Sequence, residues 1–173
     1  MNDLELKEIL KQHEDHLAGN KEVGDFISNK LSSQSISGFY FEGNLQGCVL
    51  NETRFECCVF KKVDFRGASI GSLFSCCLFI DCNFNKTSIV KSKFECSKIE
   101  NSSFIQSEIY SAKLTSSIFT KCDFGLVDLL DPHLEQSTID GTYKSEDWKP
   151  LIRNTSLDQS SIEINLLSNN QLA

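Results

Sequence analysis

Large apolar side chains fall on every fifth position through most of this chain. The beat is nearly unbroken from Phe74 to Ile139, through Phe79, Phe84, Ile89, Phe94, Ile99, Phe104, Ile109, Leu114, Phe119, Phe124, Leu129 and Leu134. Two positions before most of these stands a small residue, among them Ser72, Cys77, Cys82, Thr87, Ser92, Ser97, Ser102, Ser107, Ala112, Ser117 and Cys122. A period of five fits neither a helix nor a strand, so it is read as a repeat architecture. Upstream the same beat runs Phe26, Leu31, Ile36, Phe41, slips by one residue to Leu45, continues through Leu50, Phe55, Phe60, Phe65 and Ile70, and slips again to Phe74. If four units close one square turn, residues about 20 apart stack on the same side. Counting through both slips puts Leu31, Leu50, Ile70, Ile89, Ile109 and Leu129 in one wholly aliphatic column. The column before it holds Phe26, Leu45, Phe65, Phe84, Phe104 and Phe124. Such sorting predicts a coil that stays continuous across the slips.

Different patterns occupy the flanks. Asn2 to Leu17 reads as an amphipathic helix, with Leu6, Ile9, Leu10, His13 and Leu17 on one face, an Asn2/Glu5 capping box and Gly19-Asn20 as the stop. It is expected to cover the first end of the array, because terminal repeats need caps. After Ile139 the beat stops at an expected Asp140-Gly141 turn, and Ser145 to Ile152 suits a short helix with Ser145 as N-cap and Trp148 turned inward. Leu157, Ile162, Leu167 and Leu172 then recur at five, preceded by Thr155, Ser160, Asn165 and Asn170. They predict one further coil over 155–172, with a loose tail on the rod as the alternative. The domain reading is therefore a capping helix (1–22), a repeat array (23–139) and a C-terminal extension (140–173).

Units such as Ala68-Ser69-Ile70, Cys82-Asn83-Phe84 and Cys122-Asp123-Phe124 show a small residue, a polar one, then Leu, Ile or Phe. Over Phe26 to Ile139, about two thirds of the chain, the pattern resembles the pentapeptide repeat family. The resemblance implies an all-β solenoid, a right-handed quadrilateral parallel β-helix, behind an N-terminal capping α-helix. The small position departs from the family's usual Ala, which occurs only at Ala68 and Ala112. In this architecture the large residue fills the axis and the residue two before it also points inward, where neighbouring sides crowd. Coils stack at roughly 4.8 Å, so nearly six turns give a rod on the order of 28 Å long. Each buried Phe contributes about 1.5–3 kcal/mol. A filled axis leaves no interior cavity for a substrate.

Composition narrows the role only a little. The chain has 173 residues and eight cysteines, enough for one domain with a substantial core. No apolar run approaches the roughly 20 residues of a membrane span. Met1 to Leu10 lacks the apolar core of a signal peptide, so free thiols in a bacterial cytoplasm are expected. The net charge of −7 divides into −3 for residues 1–23, −2 for 24–139 and −2 for 140–173. A nearly neutral array offers no basic footprint for direct nucleic-acid binding.

Candidate chemistry is sparse. Cys48, Cys58, Cys77, Cys82 and Cys122 occupy the small inward position and read as packing groups. Cys57, Cys76 and Cys96 fall two residues after Phe55, Phe74 and Phe94, forming a candidate exposed thiol column close enough for a disulfide or a shared soft metal. No fourth ligand completes such a site, so no metal or cofactor is assigned. His13 and His16 read as helix-packed or solvated. Arg54 and Glu56, Lys93 and Glu95, and His133 and Glu135 flank inward residues of one side, as a self-compensating surface would. No nucleophile–base set or phosphate loop is present, so no enzyme is predicted.

The candidate interaction surface is apolar. Val90, Tyr110 and Leu130 follow the inward residue of the aliphatic side in successive turns, and Val59, Leu78, Ile80 and Ile118 point outward on another. Their expected occupant is the chain's own tail from Trp148 to Leu167, a second copy in a homodimer, or a partner protein. The leading function is a non-catalytic interaction or scaffold protein. The alternative drawn from the resemblance is a DNA-mimicking topoisomerase-binding protein, acting on DNA gyrase in quinolone resistance or toxin immunity.

Overall fold

The computed structural model describes residues 1–19, 30–143, 156–157 and 163–168. Over Leu31 to Ile139 the chain winds as a parallel β-solenoid of about five turns. Its four sides carry the columns that the beat assigns. Leu50, Ile70, Ile89, Ile109 and Leu129 pair in register on the first side. Ile36, Phe55, Phe74, Phe94, Leu114 and Leu134 do so on the second. Phe41, Phe60, Phe79, Ile99, Phe119 and Ile139 form the third. The fourth, with Leu45, Phe65, Phe84, Phe104 and Phe124, is joined by isolated bridges between Asp64, Asn83, Ser103 and Asp123, and by strand pairing only at its ends, Asn44 with Asp64 and Asp123 with Thr142. Phe26 lies outside the described residues.

The inward residues make one continuous core. Parallel ring stacks run down three sides, with centroids 5.1 Å apart for Phe55–Phe74 on the second, 4.5 Å for Phe41–Phe60 and 4.6 Å for Phe60–Phe79 on the third, and 4.7 Å for both Phe65–Phe84 and Phe84–Phe104 on the fourth. Adjacent sides meet edge to face, as Phe55 meets Phe60. The coil rise sets the stacking distance, and the edge contacts fill the corners between columns.

Five residues per side require a sharp corner, and the chain makes it with a left-handed residue two after the inward one. Among the described residues, seventeen other than glycine have φ between 48° and 59°, including Glu52, Cys57, Lys62, Cys76, Asp81, Lys91, Cys96, Asn101, Gln106 and Lys121. Left-handed backbone costs an L-residue roughly 1–2 kcal/mol. Here it is offset because the corner N–H donates to the coil above, as from Cys57 to the Ser75 carbonyl at 2.9 Å and from Cys96 to that of Thr115 at 2.9 Å.

Both slips are absorbed at corners, and pairing continues across them. Phe41 pairs with Phe60 and Gly43 with Val63, so the missing residue falls between them. Leu50 pairs with Ile70 and Phe55 with Phe74, with the shift between Asn51 and Arg54. A third slip, not anticipated from the sequence, follows Ile139. Asp140-Gly141, expected as a turn, lies inside the strand Thr138–Tyr143, where Gly141 pairs with Cys122 and Thr142 with Asp123. The β-coil therefore runs on past Ile139. A glycine stands in each shortened side: Gly43, Gly71 and Gly141. The reason is plainest at Gly141, where a Cβ would sit 2.1 Å from the Cys122 carbonyl oxygen.

The helix Asp3–Leu17 has the expected capping box, with Asn2 and Glu5 each accepting from the other's backbone N–H. It docks on the first coil through buried Leu6 and His13, with Ile9 and Leu10 packed alongside. Glu14 reaches over Gly43, whose lack of a Cβ makes room for it. Leu17, assigned to the apolar face, is exposed, because contact with the coil ends before the last helical turn. In the C-terminal part, Ser156–Leu157 adds to the second side with Leu157 opposite Leu134, and Glu163–Ser168 adds to the third. Ile164, not Ile162, stands opposite Ile139. The expected Ser145–Ile152 helix with Trp148, and Thr155, Ser160, Ile162, Asn170 and Leu172, lie outside the described residues.

Candidate functional site

The inward positions are committed to structure, and the small ones do more than avoid a clash. Ser97 lies beneath the Cys77 N–H, which donates to its Oγ at 3.1 Å, while that Oγ donates to the Phe74 carbonyl at 3.1 Å. Ser117 repeats this one coil further on, accepting from Ser97 N at 3.2 Å and donating to Phe94 O at 3.0 Å. These hydroxyls satisfy backbone groups that the tight coil turns into the interior. Ser72 and Ser107 likewise donate to the carbonyls of Leu50 and Phe84.

The cysteines divide as the sequence suggests. Cys48, Cys58, Cys77, Cys82 and Cys122 are buried, whereas Cys57, Cys76 and Cys96 are exposed. Burial pushes the thiols of Cys48 and Cys122 up to about 12 and that of Cys82 up to about 11, so they stay protonated. The neighbouring thiols of Cys58 and Cys77 influence each other, which lowers Cys58 and raises Cys77. At the corner, Cys57 is raised by desolvation and by the adjacent Cys76 and Glu56, the opposite of what activates a thiol. Among the described residues, no three or more His, Cys, Asp or Glu side chains are grouped to hold a metal ion.

His13 is buried with its Nε2 3.4 Å from the Cys48 Sγ. Desolvation pulls its pKa below the ordinary value; a hydrogen bond to the Gln46 backbone opposes this, and His16 adds repulsion.

The apolar candidates separate into two unequal strips. Val90, Tyr110 and Leu130 are register partners on the first side, with Val90 and Tyr110 exposed at 37% and 41% and Leu130 half-buried. On the third side Val59 pairs with Leu78, both half-buried, with Ile80 two residues beyond Leu78 in the parallel row. Ile118, 43% exposed, shares the row of Val59 and Leu78, but Lys98 stands between and pairs with Glu100 at 3.1 Å. The sequence reading missed Tyr40, which is 50% exposed and pairs with Val59 at the head of this strip. Counting one residue back from Phe41, as from Phe60 and Phe79, would have found it. The described tail strands Ser156–Leu157 and Glu163–Ser168 extend the second and third sides and do not lie across Val90, Tyr110 and Leu130.

The charged rows on the second side are ordered. Arg54, Leu73, Lys93, Lys113 and His133 are register partners in one row, and Glu56, Ser75, Glu95, Thr115 and Glu135 in the other. They are joined by Lys113–Glu135 at 3.9 Å. The fourth side carries Asp64, whose burial opposes ionisation, but hydrogen bonds from Arg66 and Gln46 outweigh this and hold its carboxyl below the usual range. No helix among the described residues is long and apolar enough to cross a membrane.

A five-residue unit, four-sided parallel stacking and a small-then-large inward pair define a β-solenoid built from pentapeptides. The pentapeptide repeats family model matches this chain in 8 copies, with residues 42–71 matched, so the chain carries pentapeptide repeats. Among curated proteins none matches. Among the solved structures similar to it are three of this repeat type. A trypsin-treated form of QnrB1, a plasmid-mediated fluoroquinolone resistance protein, is 16% identical with a TM-score of 0.46, covering 84% of this chain and 88% of its own. Rfr23, a pentapeptide repeat protein from the cyanobacterium Cyanothece 51142, is 9% identical with a TM-score of 0.49, covering 73% and 90%. HetL, a pentapeptide repeat protein involved in heterocyst differentiation regulation in Nostoc sp. strain PCC 7120, is 14% identical with a TM-score of 0.28, covering 82% and 76%. At these scores the likenesses carry no functional argument.

Proposed function

We propose that this protein is a non-catalytic interaction module that presents the outward rows of a rigid β-helix to a protein partner. The observation that carries the reading is the register-aligned ridge Val90–Tyr110–Leu130. It aligns two exposed apolar side chains, Val90 and Tyr110, and the half-buried Leu130 in three successive coils. Exposed apolar surface aligned on a stiff scaffold supports contact with another macromolecule. Supporting it further, the inward side chains are taken up by the core, and the thiols of Cys48, Cys82 and Cys122 are held protonated by burial.

A DNA-gyrase partner reached by DNA mimicry needs a strongly negative rod. Residues 24–139 carry thirteen acids and eleven bases, and the second side interleaves both signs, so the general interaction reading is preferred. The test is binding of candidate partners to wild type and to Tyr110→Asp, with size measured by light scattering. The reading expects an association that weakens in the variant while the thermal midpoint stays unchanged. Equal association of both proteins would remove the ridge from the account.

A further inference from the structure

The second slip leaves a mark on the surface. Ile70 to Phe74 takes four residues where Leu50 to Phe55 and Ile89 to Phe94 take five. The neighbouring coils turn this corner through left-handed Glu52 and Lys91, but the short coil has no left-handed residue there and passes through Gly71. Its corner is therefore drawn in between two projecting ones. The result is an open notch of about 250 Å³ lined by Arg54, Lys91, Lys93, Leu73, Gly71 and Glu52, among others. A Cβ on Gly71 would meet Asn51 Oδ1 at 2.9 Å and the Val90 carbonyl oxygen at 3.4 Å, so a larger residue would crowd the floor.

The charge around this notch is unbalanced. Arg54 and Lys93 flank Leu73 in one row, two coils apart, and Lys91 projects from the corner beside them. None of the three makes an ion pair among the described residues. The acid in the lining, Glu52, accepts a hydrogen bond at 3.1 Å from the Ser33 hydroxyl, which belongs to the coil on the far side from Lys91 and Lys93. Arg66, Lys98 and Lys113, by contrast, sit against the acids Asp64, Glu100 and Glu135.

We propose that the notch over Gly71 is a binding site for a phosphate-type oxyanion, held by Arg54, Lys91 and Lys93. A planar guanidinium and two ammonium groups on three sides of a recess suit a compact dianion with several acceptor oxygens. A monocarboxylate has too few acceptors and too little charge to satisfy all three. Because the notch is open to water, binding weakens with ionic strength.

The experiment titrates the full 15N-labelled chain with inorganic phosphate and pyrophosphate at fixed, low ionic strength, with acetate as the monoanion control. Saturable shifts at the Gly71, Leu73, Lys91 and Lys93 amides are expected. The midpoint should be about tenfold weaker in Lys91→Ala/Lys93→Ala, the size of a loss of about 1.4 kcal/mol. It should be unchanged in Lys61→Ala/Lys62→Ala, which removes two bases elsewhere on the rod. Shifts that fail to saturate, an equal response of the two double variants, or acetate acting as strongly as phosphate would each overturn the proposal.

Discussion

Serine at the small inward position bonds to the coil on each side of it. Ser117 accepts from the Ser97 N–H and donates to the Phe94 carbonyl, both out of reach of water. Ser117→Ala keeps the volume within one oxygen but leaves these groups unpaired, and should cost about 1–3 kcal/mol in chemical denaturation. Gly141→Ala should cost about 3 kcal/mol or more, because its Cβ would meet backbone atoms of Cys122 that no rotamer can move aside. His13 supplies a pH dependence whose sign follows from its burial. Its folded pKa lies below the unfolded value of about 6.5, so the unfolded chain binds the extra proton and stability falls as pH drops through that value. The thermal midpoint should fall between about pH 7 and 5 in wild type, and His13→Gln should flatten that fall. The need for a small residue at these places was legible in the sequence. Its hydrogen-bonding duty was not, since Ser, Cys, Ala and Thr all fit a size argument.

At the level of the sides, the five-residue period reads out as inward columns, but it does not say which sides become strands. The fourth side carries Asn44, Asp64, Asn83 and Asp123 just before its inward residue. Each side-chain oxygen accepts from the N–H two residues on, at 2.9–3.0 Å, as Asn83 does from Asn85. That local bond competes with the ladder and turns the side into a bend. An Asn or Asp at four of five coils in one column was the available signal, seen only once the columns are aligned. Corners follow a similar logic. Gln106 sits at φ 59°, and Gln106→Gly should gain about 0.5–1 kcal/mol, the relief of left-handed strain less the entropy of glycine. An unchanged or lower stability on equilibrium unfolding would mean that the corner is not strained. The third slip at Gly141 escaped the sequence reading because Lys144, not an apolar residue, stands five positions after Ile139 and Asp140-Gly141 carries an ordinary turn signal.

For the whole molecule, inward residues build the rod and outward rows are left to act. The columns from Leu31 to Ile139 were readable in advance because the same size rule is enforced at every coil. The outward rows obey no such rule, so Tyr40 and the interruption by Lys98 emerged only from the register. Surface substitutions should then separate from core ones: Tyr110→Asp should leave the thermal midpoint within about 2 °C of wild type, given that exposed changes usually stay within ±0.5 kcal/mol. The most direct test of the central claim is a side-by-side co-isolation from cells of the source organism with wild type and Tyr110→Asp, both confirmed folded. The account predicts a protein that accompanies the wild type and is depleted with the variant. The same companions at the same yield with both, or none with either, would contradict it.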